Sequence, residues 1–292
     1  MKRSTAPLAA CLVLAANAAF PQFLLHAATA QTVNAQAVGS APREGPGYAD
    51  MADLAVRAPL ILKGEITQVI PLKPAQAGTV PAGFRRAYIT VRTVALIRGE
   101  GGVAPNLSYL YDIQLDSRGK LPKLKKQPVL LFAQPGGRPG EIQLIAPDAQ
   151  IGWTQPRESM VRAITGELLG ARTPPVITGL GEAFHVAGTV QGEGETQIFL
   201  KTDSGEPVSL SIVRRPGQAP QWAVALGEIV DEAAAAPKRD SLLWYRLACF
   251  LPPALPAASV RTLAVADAEA ARADYRVVID GLGPCGRTRP GR

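Results

Sequence analysis

Residues 183–190, 196–202, 208–214 and 221–229 are four strand-length aliphatic runs, and the segments joining them are too short to hold a crossover helix. Parallel neighbours need such a crossover, so this stretch can pair only as an antiparallel meander. Asp203-Ser204-Gly205 supplies turn chemistry between the second and third runs. Two helices follow. The first is expected over 241–250, capped by Asp240, with Leu242, Leu243, Tyr245, Leu247 and Phe250 spread too widely for a surface helix. The second is expected over 267–280, capped by Asp267 and stopped by Gly281.

The preceding part reads differently. A short helix over 48–58 places Met51, Leu54 and Ala55 on one face and ends at Pro59. Five β-branched or aliphatic runs then occupy 60–70, 87–97, 107–115, 128–132 and 142–145, separated by Gly- and Pro-bearing segments. A helix follows in which Thr154 can cap, Pro156 suits the first turn, and Met160, Val161, Ile164 and Leu168 recur at helical spacing. Five strands and a helix fit a small barrel of the OB type. Pro174-Pro175 breaks both ladders and helices and marks a boundary. The fold class expected is therefore α+β: an OB-like five-stranded β-barrel with a helix over 48–170, then an antiparallel four-stranded sheet with two helices over 176–286, and a basic tail over 287–292.

Three segments carry a family resemblance. Ala58-Pro59-Leu60-Ile61-Leu62-Lys63-Gly64-Glu65-Ile66, Ala95-Leu96-Ile97-Arg98-Gly99-Glu100 and Gln127-Pro128-Val129-Leu130-Leu131-Phe132-Ala133 resemble the strand layout of netrin/TIMP-like OB domains. The resemblance implies a barrel over about a third of the chain. The N-terminal cysteine that inhibitory members of that family use against metalloproteases has no counterpart here, so inhibition is not implied. The whole chain also resembles uncharacterised secreted proteins of alphaproteobacteria, a resemblance that implies export and no activity.

The first 30 residues read as a secretory signal peptide. Lys2 and Arg3 form a positive start, an Ala/Leu-rich stretch follows over 6–25, and Ala28-Thr29-Ala30 is a small-x-small cleavage site before Gln31. A membrane anchor would need about 20 unbroken apolar residues, and Asn17, Pro21, Gln22 and His26 interrupt this stretch. Leu8-Ala9-Ala10-Cys11 spells a lipoprotein box, yet the apolar run continues past the cysteine. Residues 31–47 are almost all small, polar, Pro or Gly and read as a flexible leader. No later segment is long and apolar enough to span a bilayer. The expected location is periplasmic or secreted.

Removing the signal takes away Cys11 and leaves Cys249 and Cys285, which in an oxidising compartment form a disulfide; two free buried thiols are the alternative. Losing Lys2 and Arg3 lowers the formal charge from +7 to +5. That balance bears on solubility and steering, and it does not indicate nucleic acid.

Chemistry is thinly represented. His185 alone remains among histidines after residue 30, and no pair of ligands sits at metal spacing, so neither a metal site nor a cofactor is expected. No Gly-x-Ser-x-Gly elbow accompanies His185, which reads as a hydrogen-bonded, half-buried strand residue. Gly192-Glu193-Gly194-Glu195 lacks the lysine of a phosphate loop. Glu182, Glu193, Glu195, Asp203, Glu206, Glu228 and Asp231 keep open a carboxylate-dependent hydrolase of envelope glycans. The remaining feature is a cation-rich connection: Arg118, Lys120, Lys123, Lys125 and Lys126 lie between two expected strands, where a barrel loop can meet an anionic partner. Arg214-Arg215 and Arg287, Arg289 and Arg292 are weaker candidates of the same kind. The function expected is a non-catalytic binding or structural protein of the bacterial envelope, whose partner is an envelope protein or an anionic envelope component.

Overall fold

The computed structural model describes residues 45–227 and 235–289. The expected signal peptide, most of the leader, Glu228, Asp231 and Arg292 lie outside them. The described residues fall within one compact unit.

The chain begins with helix α1 (Tyr48–Arg57), then β1 (Leu60–Pro71), a single turn α2 (Pro74–Ala77), β2 (Phe84–Arg98), β3 (Asn106–Gln114), β4 (Pro128–Pro135), β5 (Ile142–Leu144), β6 (Gln150–Gly152) and α3 (Gln155–Leu169). The five expected strands are present. They hydrogen-bond in the order β3-β2-β1-β4-β5, all antiparallel, and the short β6 adds a third partner to β4. A single parallel bridge, Ser108 to Glu141, draws β3 toward β5 and nearly closes the sheet into an OB-like barrel. Closure needs strong bending. Three register shifts along β1 and β2 supply it, and at Gly64 a Cβ would sit 3.2 Å from that of Val91.

Two cores result. Leu62, Ile66, Ile89, Tyr109, Ile113 and Leu131 fill the barrel. The outward residues Ile61, Leu130 and Phe132 face Met51 and Leu54 of α1 and Val161 and Ile164 of α3, in a core that continues into the second sheet. Strand β4 is therefore buried on both faces, which explains its unbroken run Val129-Leu130-Leu131-Phe132-Ala133. Helix α3 starts as expected, with the Thr154 hydroxyl accepting from the Arg157 N–H at 3.4 Å and Pro156 in the first turn.

The second sheet holds β7 (Ile177–Ala187), β8 (Gly194–Thr202), β9 (Val208–Arg214) and β10 (Gln221–Leu226) in the order β10-β9-β8-β7, antiparallel throughout. Helices α4 (Leu242–Ala248) and α5 (Val265–Leu282) accompany it. Strand β7 starts six residues before the expected position. Its first half contains Gly179 and Gly181 and two register shifts, which dilute the aliphatic alternation.

Both helix ends differ from expectation. Ser241, not Asp240, caps α4 by accepting from the Trp244 N–H at 3.2 Å, and Asp240 adopts a left-handed backbone at φ 58°. Helix α5 begins two residues before Asp267, which lies in its first turn. It runs through Gly281 to Gly283 at φ 67°, whose N–H donates to the Ile279 carbonyl at 3.0 Å. Gly281 is needed for close approach instead: a Cβ there would stand 2.5 Å from Trp222 Nε1 of β10. Cys249 and Cys285 are disulfide-bonded, tying the end of α4 to the residues after α5. Among the described residues no helix is long and apolar enough to cross a membrane.

Candidate functional site

The cation-rich connection between β3 and β4 is built as two consecutive closed turns. In the first, the Asp116 carboxylate accepts from the Arg118 and Lys120 amides at 2.9 and 2.8 Å, and its own N–H donates to the Lys120 carbonyl at 2.9 Å. Gly119, at φ 71°, allows that reversal. In the second, the Gln127 N–H donates to the Leu124 carbonyl at 3.0 Å and its side-chain amide to the Lys123 carbonyl at 2.7 Å. The Lys126 N–H reaches the Ile66 carbonyl of β1 at 2.7 Å, and this places Lys126 in the left-handed region at φ 69°.

Two side chains anchor the loop from below. Leu121 and Leu124 pack against the barrel core. The alternation of these leucines with the cations leaves Arg118, Lys120, Lys123, Lys125 and Lys126 exposed. Arg118 lies 4.0 Å from the Asp116 carboxylate. Among the described residues no carboxylate lies within 4.0 Å of the ammonium group of Lys120, Lys123, Lys125 or Lys126. Four ammonium groups are thus presented outward by a backbone that is already ordered, which spares a ligand the entropy of ordering it.

Of the other basic candidates, Arg215 is exposed, whereas Arg214, Arg287 and Arg289 are engaged within the protein. Arg214 pairs with the buried Asp274. Arg287 pairs with Asp53 at 2.6 Å, and Arg289 with Asp148 at 2.6 Å.

The second-half carboxylates occupy separate places. Glu182 lies 3.7 Å from Arg261 and is half exposed. Glu193 and Glu195 sit at the β7–β8 hairpin, whereas Asp203 and Glu206 sit at the β8–β9 turn. The eight residues from Glu195 to Asp203 separate these two groups by about 26 Å along an extended strand. Asp203 accepts from the Val176 N–H at 3.1 Å.

Asp274 belongs to no motif in the sequence. Its carboxylate is fully buried on α5, where it accepts from the Thr196 hydroxyl of β8 and the Arg214 guanidinium of β9. His185 Nδ1 stands 2.8 Å from the same Thr196 hydroxyl and 3.9 Å from Asp274. Thr196 is itself fully buried, and its hydroxyl links His185 to Asp274. A signal was present: Asp274 shares the apolar face of α5 with Ala271, Tyr275 and Val278.

A second charged node lies where β1 meets α3. The Glu158 carboxylate accepts from the Trp153 indole N–H at 2.6 Å, Arg162 at 2.9 Å and Lys63 at 3.1 Å. The Lys63 ammonium also stands 3.7 Å from the centre of the Trp153 ring. The Trp153 hydrogen bond, aided by Arg162 and Lys63 and opposed by burial, holds this carboxyl down at about 2.

Comparison of the sequence with known protein families and with curated proteins finds no match.

Proposed function

We propose that this chain is an exported, non-catalytic binding protein of the bacterial envelope, and that it captures an anionic partner through the loop between β3 and β4. The observation that carries this reading is the set of four exposed lysines, Lys120, Lys123, Lys125 and Lys126, held on an ordered loop with no carboxylate partner among the described residues. Every other arginine named as a basic candidate, among those described, is either paired or a single charge. Like charges gathered without counter-charges attract anions and raise association rates, an effect that falls as salt rises.

Binding of poly-L-glutamate to the immobilised protein tests the reading. The protein with Lys120→Ala, Lys123→Ala, Lys125→Ala and Lys126→Ala is expected to lose on the order of tenfold or more in affinity at low salt, and the difference is expected to narrow as salt is added. Equal binding by the substituted protein would remove the loop from consideration.

A further inference from the structure

Among the described residues the barrel is closed by a single bridge, and the consequence lies along β3. The Ser108 N–H donates to the Gly140 carbonyl at 2.9 Å, on the side of β3 away from β2. Pairing with β2 continues without a register shift to Gln114, so every second residue after Ser108 turns its N–H and C=O the same way. Leu110 and Asp112 therefore direct their backbone groups out of the sheet. Strand β5 has diverged by then, since the parallel bridge to it does not extend past Ser108 and Glu141. Among the described residues no backbone group pairs with this edge of β3 beyond Ser108.

Open space borders the edge. A groove of about 610 Å³ lies beside it, lined by Tyr88, Leu110, Asp112, Gln143 and Leu144 among others. A smaller cavity of about 340 Å³ carries on past Tyr111 and Gln114 to Asp116, Pro122 and Leu124, the foot of the cationic loop. An unpaired strand edge facing a groove is the geometry that recruits an extended peptide as an added strand. In the groove Arg86 holds Asp112 through two bonds at 2.7 and 2.8 Å, and Glu141, which also lines it, lies 3.8 Å from Arg138. The connection that follows Gln114 carries Lys120, Lys123, Lys125 and Lys126 and is net positive.

We infer that the open edge of β3 receives an extended peptide that pairs antiparallel to it over Leu110–Gln114, with acidic residues preceding the pairing stretch. Charge order and direction are linked. Antiparallel to β3, residues that precede the paired stretch lie past Gln114, where the connection carrying Lys120, Lys123, Lys125 and Lys126 begins. The opposite end is closed by the Ser108–Gly140 contact, and parallel pairing would instead need the acidic residues to follow the paired stretch. The inference rests on the anion-binding reading above and specifies its partner as an acidic polypeptide segment.

Substitution at Leu110 separates the two. Its side chain is half exposed and its N–H is not used by β2, so Leu110→Pro removes one outward donor and leaves the β2 ladder its bonds. The probe is a fluorescent peptide of four glutamates followed by alternating valine and threonine, read by anisotropy against a peptide with the glutamates last. The glutamate-first peptide is expected to bind on the order of tenfold more tightly, and Leu110→Pro to weaken it by a similar factor without changing poly-L-glutamate binding. Alternate N-methylation of the peptide backbone is expected to abolish binding to the unaltered protein, which covers the case in which Leu110→Pro does not fold. Binding that survives N-methylation would overturn strand addition while the anion-binding loop stands, and equal or tighter binding of the glutamate-last peptide would overturn the antiparallel direction. Poly-L-glutamate binding that survives loss of the four lysines would instead overturn the loop.

Discussion

Arg287 grips Asp53 through two bonds of 2.6 and 2.8 Å across 234 positions of the chain. The neighbouring residues extend this strap. The Asp50 carboxylate, fully buried in the first turn of α1, accepts from the Thr288 amide and hydroxyl, the Arg289 amide and the Gly47 amide. Burial pushes its carboxyl up, but these bonds outweigh that effect and hold it below the usual carboxylate range.

Asp50→Ala is expected to lower stability by about 2–4 kcal/mol, because several donors lose a charged acceptor at once. Arg287→Ala should cost about 1 kcal/mol or less, since its partner is partly solvated. Urea denaturation checks both: the midpoint falls while the slope is unchanged. Equal losses for the two substitutions would contradict the assignment of Asp50 as the main anchor.

The Asp274 network makes a sharper demand. Asp274→Ala strands the Arg214 guanidinium against a buried surface and leaves Thr196 without its acceptor, so a loss of about 3–5 kcal/mol is expected. Replacing Asp274 and Arg214 together with leucine should recover a large part of it, because the desolvation cost disappears with the charges. Thermal unfolding of the single and double variants measures the recovery; a double variant less stable than Asp274→Ala would show that the ion pair itself stabilises the sheet.

Glu158 gives a pH signature. Its carboxyl is depressed from 4.5 to about 2 in the folded protein. A depressed acid contributes its full stabilisation above the unfolded value and loses it as pH falls toward the folded one. The difference in unfolding free energy between the native sequence and Glu158→Gln is therefore expected to hold above pH 4.5 and to shrink between 4.5 and 2. A difference that stays constant through that window would mean Glu158 is not the titrating group.

Much of the architecture was legible because its signals are local. Thr154 and Pro156 start α3, and the short connections after Ala187 and Thr202 permit only hairpins. The start of β7 was hidden by glycines at a bulge, and the cap of α4 turned on which of two adjacent capping residues, Asp240 or Ser241, reaches the Trp244 amide. The cationic loop was visible as composition. Its fixed shape was legible only in part: Asp116 and Gln127 close its turns locally, but Ile66 and the barrel core that anchor it are far away in sequence. Arg287 and Arg289 looked like a solvated tail for the same reason: nothing near them in the chain announces Asp53 or Asp148.

The strap over α1 also fixes an order of events in time. Two of the amides that satisfy Asp50 lie 238 and 239 positions downstream. At about 5–20 residues per second, synthesis separates α1 from these partners by on the order of tens of seconds. Throughout that interval the helix is made, but its carboxylate has only the Gly47 amide of its own first turn to accept from and its apolar face has no complete surface to rest on. Final docking of α1 is thus a late step that joins the two ends of the described chain.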